Sequence, residues 1–132
     1  MESRQQEAES SVILEIRDLT YRYETGTQAL DGVNLKIRTG ERIAVLGANG
    51  AGKSTLFLNM NGVLSPDRGE IFLHGEKVNK KNINALRKKV GIVFQDADNQ
   101  IIASTVLAEV SFGPMNLNLA RPDVARMVDE AL

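Results

Sequence analysis

An α/β fold organised around a glycine-rich loop is what this sequence predicts, and three observations carry the prediction. The run Ile43-Ala44-Val45-Leu46 is continuously apolar, the texture of a strand covered on both faces of a largely parallel sheet. It leads directly into a glycine-rich loop, Gly47-Ala48-Asn49-Gly50-Ala51-Gly52. That loop in turn opens a helix-compatible stretch from Lys53 to about Asn61. Strand, glycine loop and helix in that order build an anion cradle.

The other elements follow in turn. Residues 1–11 are polar, of mixed charge and without the apolar core of a signal peptide, so they read as a flexible tail ahead of a domain over 12–132. From Val12, Leu14 and Ile16 alternate with Glu15 and Arg17 before Tyr21-Arg22-Tyr23, a strand pattern. A polar turn over 24–28 separates it from a second strand, with Val33, Leu35 and Ile37 on one face and Asn34, Lys36 and Arg38 on the other. Asn61-Gly62 closes the helix after the loop, because Gly62 tolerates a left-handed backbone. Ser65-Pro66-Asp67-Arg68-Gly69 is a turn and Ile71-Phe72-Leu73 a short strand. Residues 82–89 read as a helix and 90–94 as a second buried strand. Thr105 is an N-cap for a helix over 106–112, which Gly113-Pro114 stops. A last helix starts at Pro122, with Val124, Met127, Val128, Ala131 and Leu132 on one face.

Composition narrows the function. Sixteen Lys+Arg against seventeen Asp+Glu leave a net charge of -1, no basis for a dedicated nucleic-acid binder. With no cysteine and one histidine, thiolate and multi-histidine metal sites are excluded. Apolar runs of a few residues do not span a bilayer.

The decisive motif is Gly47-Ala48-Asn49-Gly50-Ala51-Gly52-Lys53-Ser54, followed by Thr55. It fits G-x-x-x-x-G-K-[ST], which chance supplies in roughly one chain in two hundred of this length. Gly47, Gly50 and Gly52 are expected at positive φ, where no Cβ obstructs phosphate oxygens. Successive N–H groups then form an anion nest with the helix dipole behind it. Lys53 supplies a full positive charge to the β- and γ-phosphates, and Ser54 a hydroxyl to Mg²⁺. The chain therefore binds a nucleoside triphosphate.

The flanks say which kind of phosphate-loop protein this is. Leu19-Thr20-Tyr21-Arg22-Tyr23, Ala29-Leu30-Asp31-Gly32-Val33-Asn34-Leu35 and the turn at Ser65 to Gly69 are three carrying segments. Gly91-Ile92-Val93-Phe94-Gln95-Asp96-Ala97-Asp98-Asn99-Gln100 and Phe112-Gly113-Pro114-Met115-Asn116-Leu117 complete them. Together with the phosphate loop they resemble the ATP-binding subunit of ABC transporters, most closely the cobalt/nickel-type and energy-coupling-factor importers. The resemblance implies a P-loop NTPase core with an antiparallel β-subdomain, truncated within the helical subdomain. It implies ATP and Mg²⁺ as cofactors, held by residues 47–55, with Tyr23 stacking on adenine and Gln95 joining Ser54 at the metal. On spacing alone Tyr23 reads equally as a stacking ring and as an ordinary strand aromatic, Tyr21 is structural and Gln95 is a surface amide. The small polar residues Asp96, Asp98 and Asn99 read as loop caps, not a metal cluster. Lys77, Lys80, Lys81, Arg87, Lys88 and Lys89 read as a solvated face, with anionic lipid the other reading. His74 belongs to a turn and does not match the family's switch histidine.

The implied partners are transmembrane subunits, reached in part through the helix at 106–112, whose apolar residues read equally as core, and a second ATPase subunit. The implied location is the cytoplasmic face of the membrane, and the implied work is ATP-driven uptake of a small solute, a transition-metal ion such as cobalt or nickel, or a vitamin. No strand ending in Asp-Glu, no serine-glycine-glycine signature and no switch histidine follow the glutamine loop. The 132 residues are thus expected to hold ATP without hydrolysing it. A non-transport ABC protein or a nucleotide-binding regulator is the alternative. A small-molecule kinase, which needs a lid bearing arginines, fits the segment from Gly91 to Gln100 poorly.

Overall fold

The structure, a computed structural model, describes residues 11–96 and 98–132; the expected tail, but for Ser11, lies outside the described residues, as do Ala97 and the side chain of Asn99. The chain divides into two compact units between Ile92 and Val93.

Four strands make the sheet of the first unit: β1 (Val12–Arg22), β2 (Gln28–Arg38), β3 (Arg68–Leu73) and β4 (Glu76–Lys77). Their spatial order is β2-β1-β3-β4, and every neighbouring pair is antiparallel. Helices α1 (Lys53–Met60) and α2 (Ile83–Lys89) complete the unit. Leu14, Ile16, Leu19, Leu30 and Ile71 from the sheet meet Leu56 of α1 and Leu86 of α2 in one core. Burial at about 25 cal/mol per Å² of apolar surface holds this unit together. Along β2 the expected alternation is present, with Val33, Leu35 and Ile37 half-buried and Asn34, Lys36 and Arg38 exposed.

The middle of β1 breaks the alternation. Ile16 and Leu19 are both fully buried although three residues apart, because the pairing register with β2 shifts between them. Asp18, at φ 49, makes the extra step, as a bulge does. Both neighbouring strands are shaped to it. Asn34 Oδ1 accepts the Asp18 N–H at 3.0 Å, and Arg68 donates to Asp18 Oδ2 at 3.0 Å. Gly69 crosses so closely that a Cβ there would lie 2.4 Å from the Asp18 carbonyl oxygen.

Opposite β2, Glu15 faces Lys36. The Arg17 guanidinium donates to both Glu15 carboxylate oxygens at 2.9 Å, and Lys36 Nζ lies 3.2 Å from one of them. The Arg17 hydrogen bond, with Lys36 behind it, holds the Glu15 carboxyl below its ordinary value of 4.5 against the opposing effect of burial. A depressed folded pKa adds stability that is present above the unfolded pKa and lost as pH falls through the folded one. Acid unfolding should therefore steepen below about pH 4.5, and Glu15→Gln should flatten that limb. Chemical denaturation between pH 3 and 6 reads it; identical pH profiles would refute the coupling.

Two expected strands are not formed. Residues 41–48 carry no regular structure, with Ile43 45% and Leu46 90% exposed, and residues 90–94 likewise, with Val93 95% exposed. A strand exists through its ladder partners, and among the described residues the only sheet is the antiparallel one, which contains neither segment. Period and apolarity identify the segments; pairing is what they lack.

In the second unit, α3 (Val106–Met115) and α4 (Arg121–Ala131) pack against each other. Thr105 caps α3 as expected, its side chain accepting from the Ala108 N–H at 3.2 Å. The Glu109 carboxylate receives the N–H groups of Ile102 and Ala103 at 2.9 and 2.7 Å, which ties the incoming chain to the first turn. Gly113-Pro114 does not stop the helix at Phe112; it runs on to Met115. Pro114 falls in the last turn, where its missing N–H costs one bond, and Asn116 recovers the end by donating its side-chain amide to the Phe112 carbonyl at 2.9 Å. On α4 only Val128 of the expected face is buried; Met127, Ala131 and Leu132 are exposed.

Candidate functional site

The phosphate loop is built from its two glycines at positive φ. Gly50 stands at φ 81 and Gly52 at φ 94. Nothing surrounds a Cβ at Gly50, so its demand is conformational alone. At Gly52 a Cβ would lie 2.3 Å from the Ala29 carbonyl oxygen and 3.3 Å from Leu30 Cδ2, so this glycine also lets the loop lie against the start of β2. Gly47 departs from expectation: it is not at positive φ. Its lack of a side chain serves packing, since a Cβ would sit 3.1 Å from that of Ala51.

Gly52 is the N-cap of α1, and no side chain caps that end. The first turn holds no acidic residue and contains Lys53, Ser54 and Thr55. Uncapped N–H groups, a helix dipole and a cation at one point favour an anion. Lys53 Nζ folds over the loop, donating to the carbonyls of Gly47 at 2.6 Å and Ala48 at 2.7 Å. Its charge is thereby centred above the backbone turn. Ser54 is exposed, whereas Thr55 is buried. The hydroxyl and the loop amides form a hard-oxygen and N–H donor set that fits a magnesium-bound triphosphate.

Tyr23 follows β1 directly. Its turn is closed by Tyr23 N–H to Thr27 O at 2.9 Å and Gly26 N–H to Tyr23 O at 2.8 Å. Asp67, in the turn that ends where β3 begins at Arg68, accepts the Arg22 N–H at 2.6 Å and so pins the end of β1. The Tyr23 ring is 38% exposed and stands edge-on to Tyr21, with centroids 5.1 Å apart and planes at 88°. Tyr21 packs on the core, in keeping with a structural role. The Tyr23 hydroxyl lies 2.8 Å from Thr55 Oγ1. Tyr23 and the phosphate loop are therefore brought together within the first unit.

Two contacts of this site have no signature in sequence spacing: the tyrosine–threonine bond and the seat of Gly52 on Ala29. A third is Asn59, fully buried on α1, whose amide donates to the Thr55 carbonyl at 2.9 Å. Gln95 lies in the second unit and is exposed. Among the described residues no group of His, Asp and Glu is arranged to hold a metal. In the basic stretch Lys77 pairs with Glu70 and Arg87 donates to Gly62 O at 2.9 Å. Lys80, Lys81, Lys88 and Lys89 are exposed, and Arg87 to Lys89 sit in the last turn of α2, where cations suit the helix dipole. His74 is in the β3–β4 turn at φ 49. No helix among the described residues is long and apolar enough to cross a membrane.

Known proteins are similar to this chain. The chain is 52% identical over 122 residues to an energy-coupling factor transporter ATP-binding protein of Methanothermobacter thermautotrophicus, matching 91% of this chain and 39% of that protein. It is 50% identical over 122 residues to the protein so named in Methanocaldococcus jannaschii, matching 91% of this chain and 44% of that one. Among solved structures, cbiO1 from Clostridium perfringens, part of the ABC transporter complex cbiONQ, superposes with a TM-score of 0.79 at 45% identity, over 92% of this chain and 49% of that one. A dimeric ATP-binding cassette, MJ0796, bound to ADP and Pi, gives 0.74 at 25% identity, over 89% and 55%. The chain thus spans less than half the length of the curated relatives it matches. Its fold is the α/β fold of ABC ATPase cassettes. The ABC transporter family matches residues 30–131, a span that takes in the phosphate loop, α1, most of β2, and β3 and β4, and the chain belongs to the ABC transporter family.

Proposed function

We propose that this chain is the nucleotide-holding part of an ABC importer's ATP-binding subunit. The observation that carries it is the cradle itself: Gly50 and Gly52 at positive φ, an uncapped α1 N-terminus, and Lys53 over the loop. Residues 47–55 hold the triphosphate, Tyr23 presents a ring face to adenine, and Ser54 contributes an oxygen to Mg²⁺. When bound, the metal neutralises charge on the β- and γ-phosphates.

In the whole protein, ATP binding and hydrolysis drive uptake of a small solute through transmembrane subunits at the cytoplasmic face of the membrane, with a second ATPase subunit as partner. The name of the clostridial neighbour's complex and the identity to energy-coupling factor proteins support this reading. The solute is a transition-metal ion such as cobalt or nickel.

The 132 residues alone contain no Asp-Glu strand to orient water and complete the Mg²⁺ shell, and phosphoryl transfer rests on that positioning. Purified chain with Mg-ATP should release phosphate at the buffer rate. Release that Lys53→Ala abolishes would overturn the division of labour proposed here.

A further inference from the structure

The Tyr23–Thr55 bond joins two elements that the chain separates by thirty-two residues. One end is an aromatic just past β1, held edge-on against Tyr21. The other is the third residue of α1, buried, with its backbone carbonyl taken by Asn59. Tyr21 borders one edge of the Tyr23 ring, yet a T-shaped contact leaves the ring free to swing about its Cα–Cβ bond. A hydrogen bond between the phenol tip and Thr55 Oγ1 on the helix, in which either hydroxyl can donate, fixes where that tip lies and removes that freedom.

We infer that Thr55 is a positioning residue, which acts through its hydroxyl on the Tyr23 phenol to set the angle of the ring beside the phosphate loop and so the preference for a nucleotide over a bare polyphosphate. This rests on the reading that Tyr23 stacks on the base. Stacking depends on plane and offset, so a ring that must be ordered on binding gives up affinity that a pre-set ring keeps.

The test uses the 132-residue chain with ATP and inorganic tripolyphosphate as probes. Tyr23→Phe keeps the ring and removes the bond. It should weaken ATP about fivefold, the size of one net hydrogen bond of about 1 kcal/mol, and leave tripolyphosphate unchanged. Thr55→Val should weaken ATP relative to tripolyphosphate by the same factor. In the double variant the two losses should not add, because both remove one interaction. In a Tyr21→Phe background, the Raman doublet of the remaining tyrosine reports its phenol hydrogen bond and should move on Thr55→Val. A doublet that stays in place, additive losses, or a Tyr23→Phe variant that binds ATP like the parent would each overturn the positioning role. Tyr23→Ala separates the two ideas. If it weakens ATP while Tyr23→Phe does not, stacking stands and the positioning role falls. If neither weakens ATP, the stacking reading falls as well.

Discussion

Lys53→Ala should lower Mg-ATP affinity by about a hundredfold, with the unfolding midpoint little changed. The side chain is half-buried and its ammonium meets two loop carbonyls, those of Gly47 and Ala48. Hydrogen bonds to charged groups contribute about 1.5–3 kcal/mol each, and 2.7 kcal/mol is a hundredfold in affinity. The exchange favours nucleotide because a triphosphate offers full negative charge where the carbonyls offer only dipoles. Tripolyphosphate should lose as much as ATP, since Lys53 serves the phosphates alone. Calorimetric titration of both ligands decides it: undiminished binding in the variant would sink the cradle assignment. High salt should weaken the parent but hardly the variant, because screening acts on the charge that was removed.

Gly69→Ala should cost the first unit at least about 4 kcal/mol, beyond what ordinary substitutions do. Two penalties coincide there. The residue stands at φ 95, where any Cβ costs about 1–2 kcal/mol. That Cβ would also meet the carbonyl oxygens of Asp18 at 2.4 Å and Arg17 at 2.6 Å, both backbone atoms of the central strand, which cannot rotate away. Gly26 is the control. It has φ 89 with nothing within 4 Å of a Cβ, so Gly26→Ala should cost only the conformational part. Urea unfolding of the two variants side by side measures the difference. Equal losses would show that the crossing at the bulge is not tight.

The same pair shows what was legible in the sequence. Turn glycines announce themselves: Gly26 falls in a polar stretch, and Gly62 after Asn61 closes α1 at φ 78 as expected. The phosphate loop is equally plain, since its residue types are dictated by what backbone N–H groups and a lysine must do. Gly69 is legible only as a turn end, because the reason for it lies fifty-one residues away in a bulge at Asp18 that no periodicity marks. The Ile16-to-Leu19 spacing carries the only hint, a skipped step in the alternation. Tyr23 and Thr55 are common residues at uninformative spacing, so their bond could be found only in three dimensions. Residues 43–46 and 90–94 depart from expectation for another reason. Apolarity reports what a segment can bury, whereas strand formation requires a neighbour, and the sheet of the described residues is made by others.

That sheet also has a consequence for the order of events as the chain is made. All its pairings lie between Val12 and Lys77, and β1 is in place before either of the strands that flank it. With synthesis at about 5–20 residues per second, the four-stranded platform can close within seconds of its last strand leaving the ribosome. Ile43 to Leu46 then lies between β2 and β3, apolar, unpaired and, but for half-buried Val45, exposed. A nascent molecule in that condition carries a paired platform and an unpaired apolar segment at once.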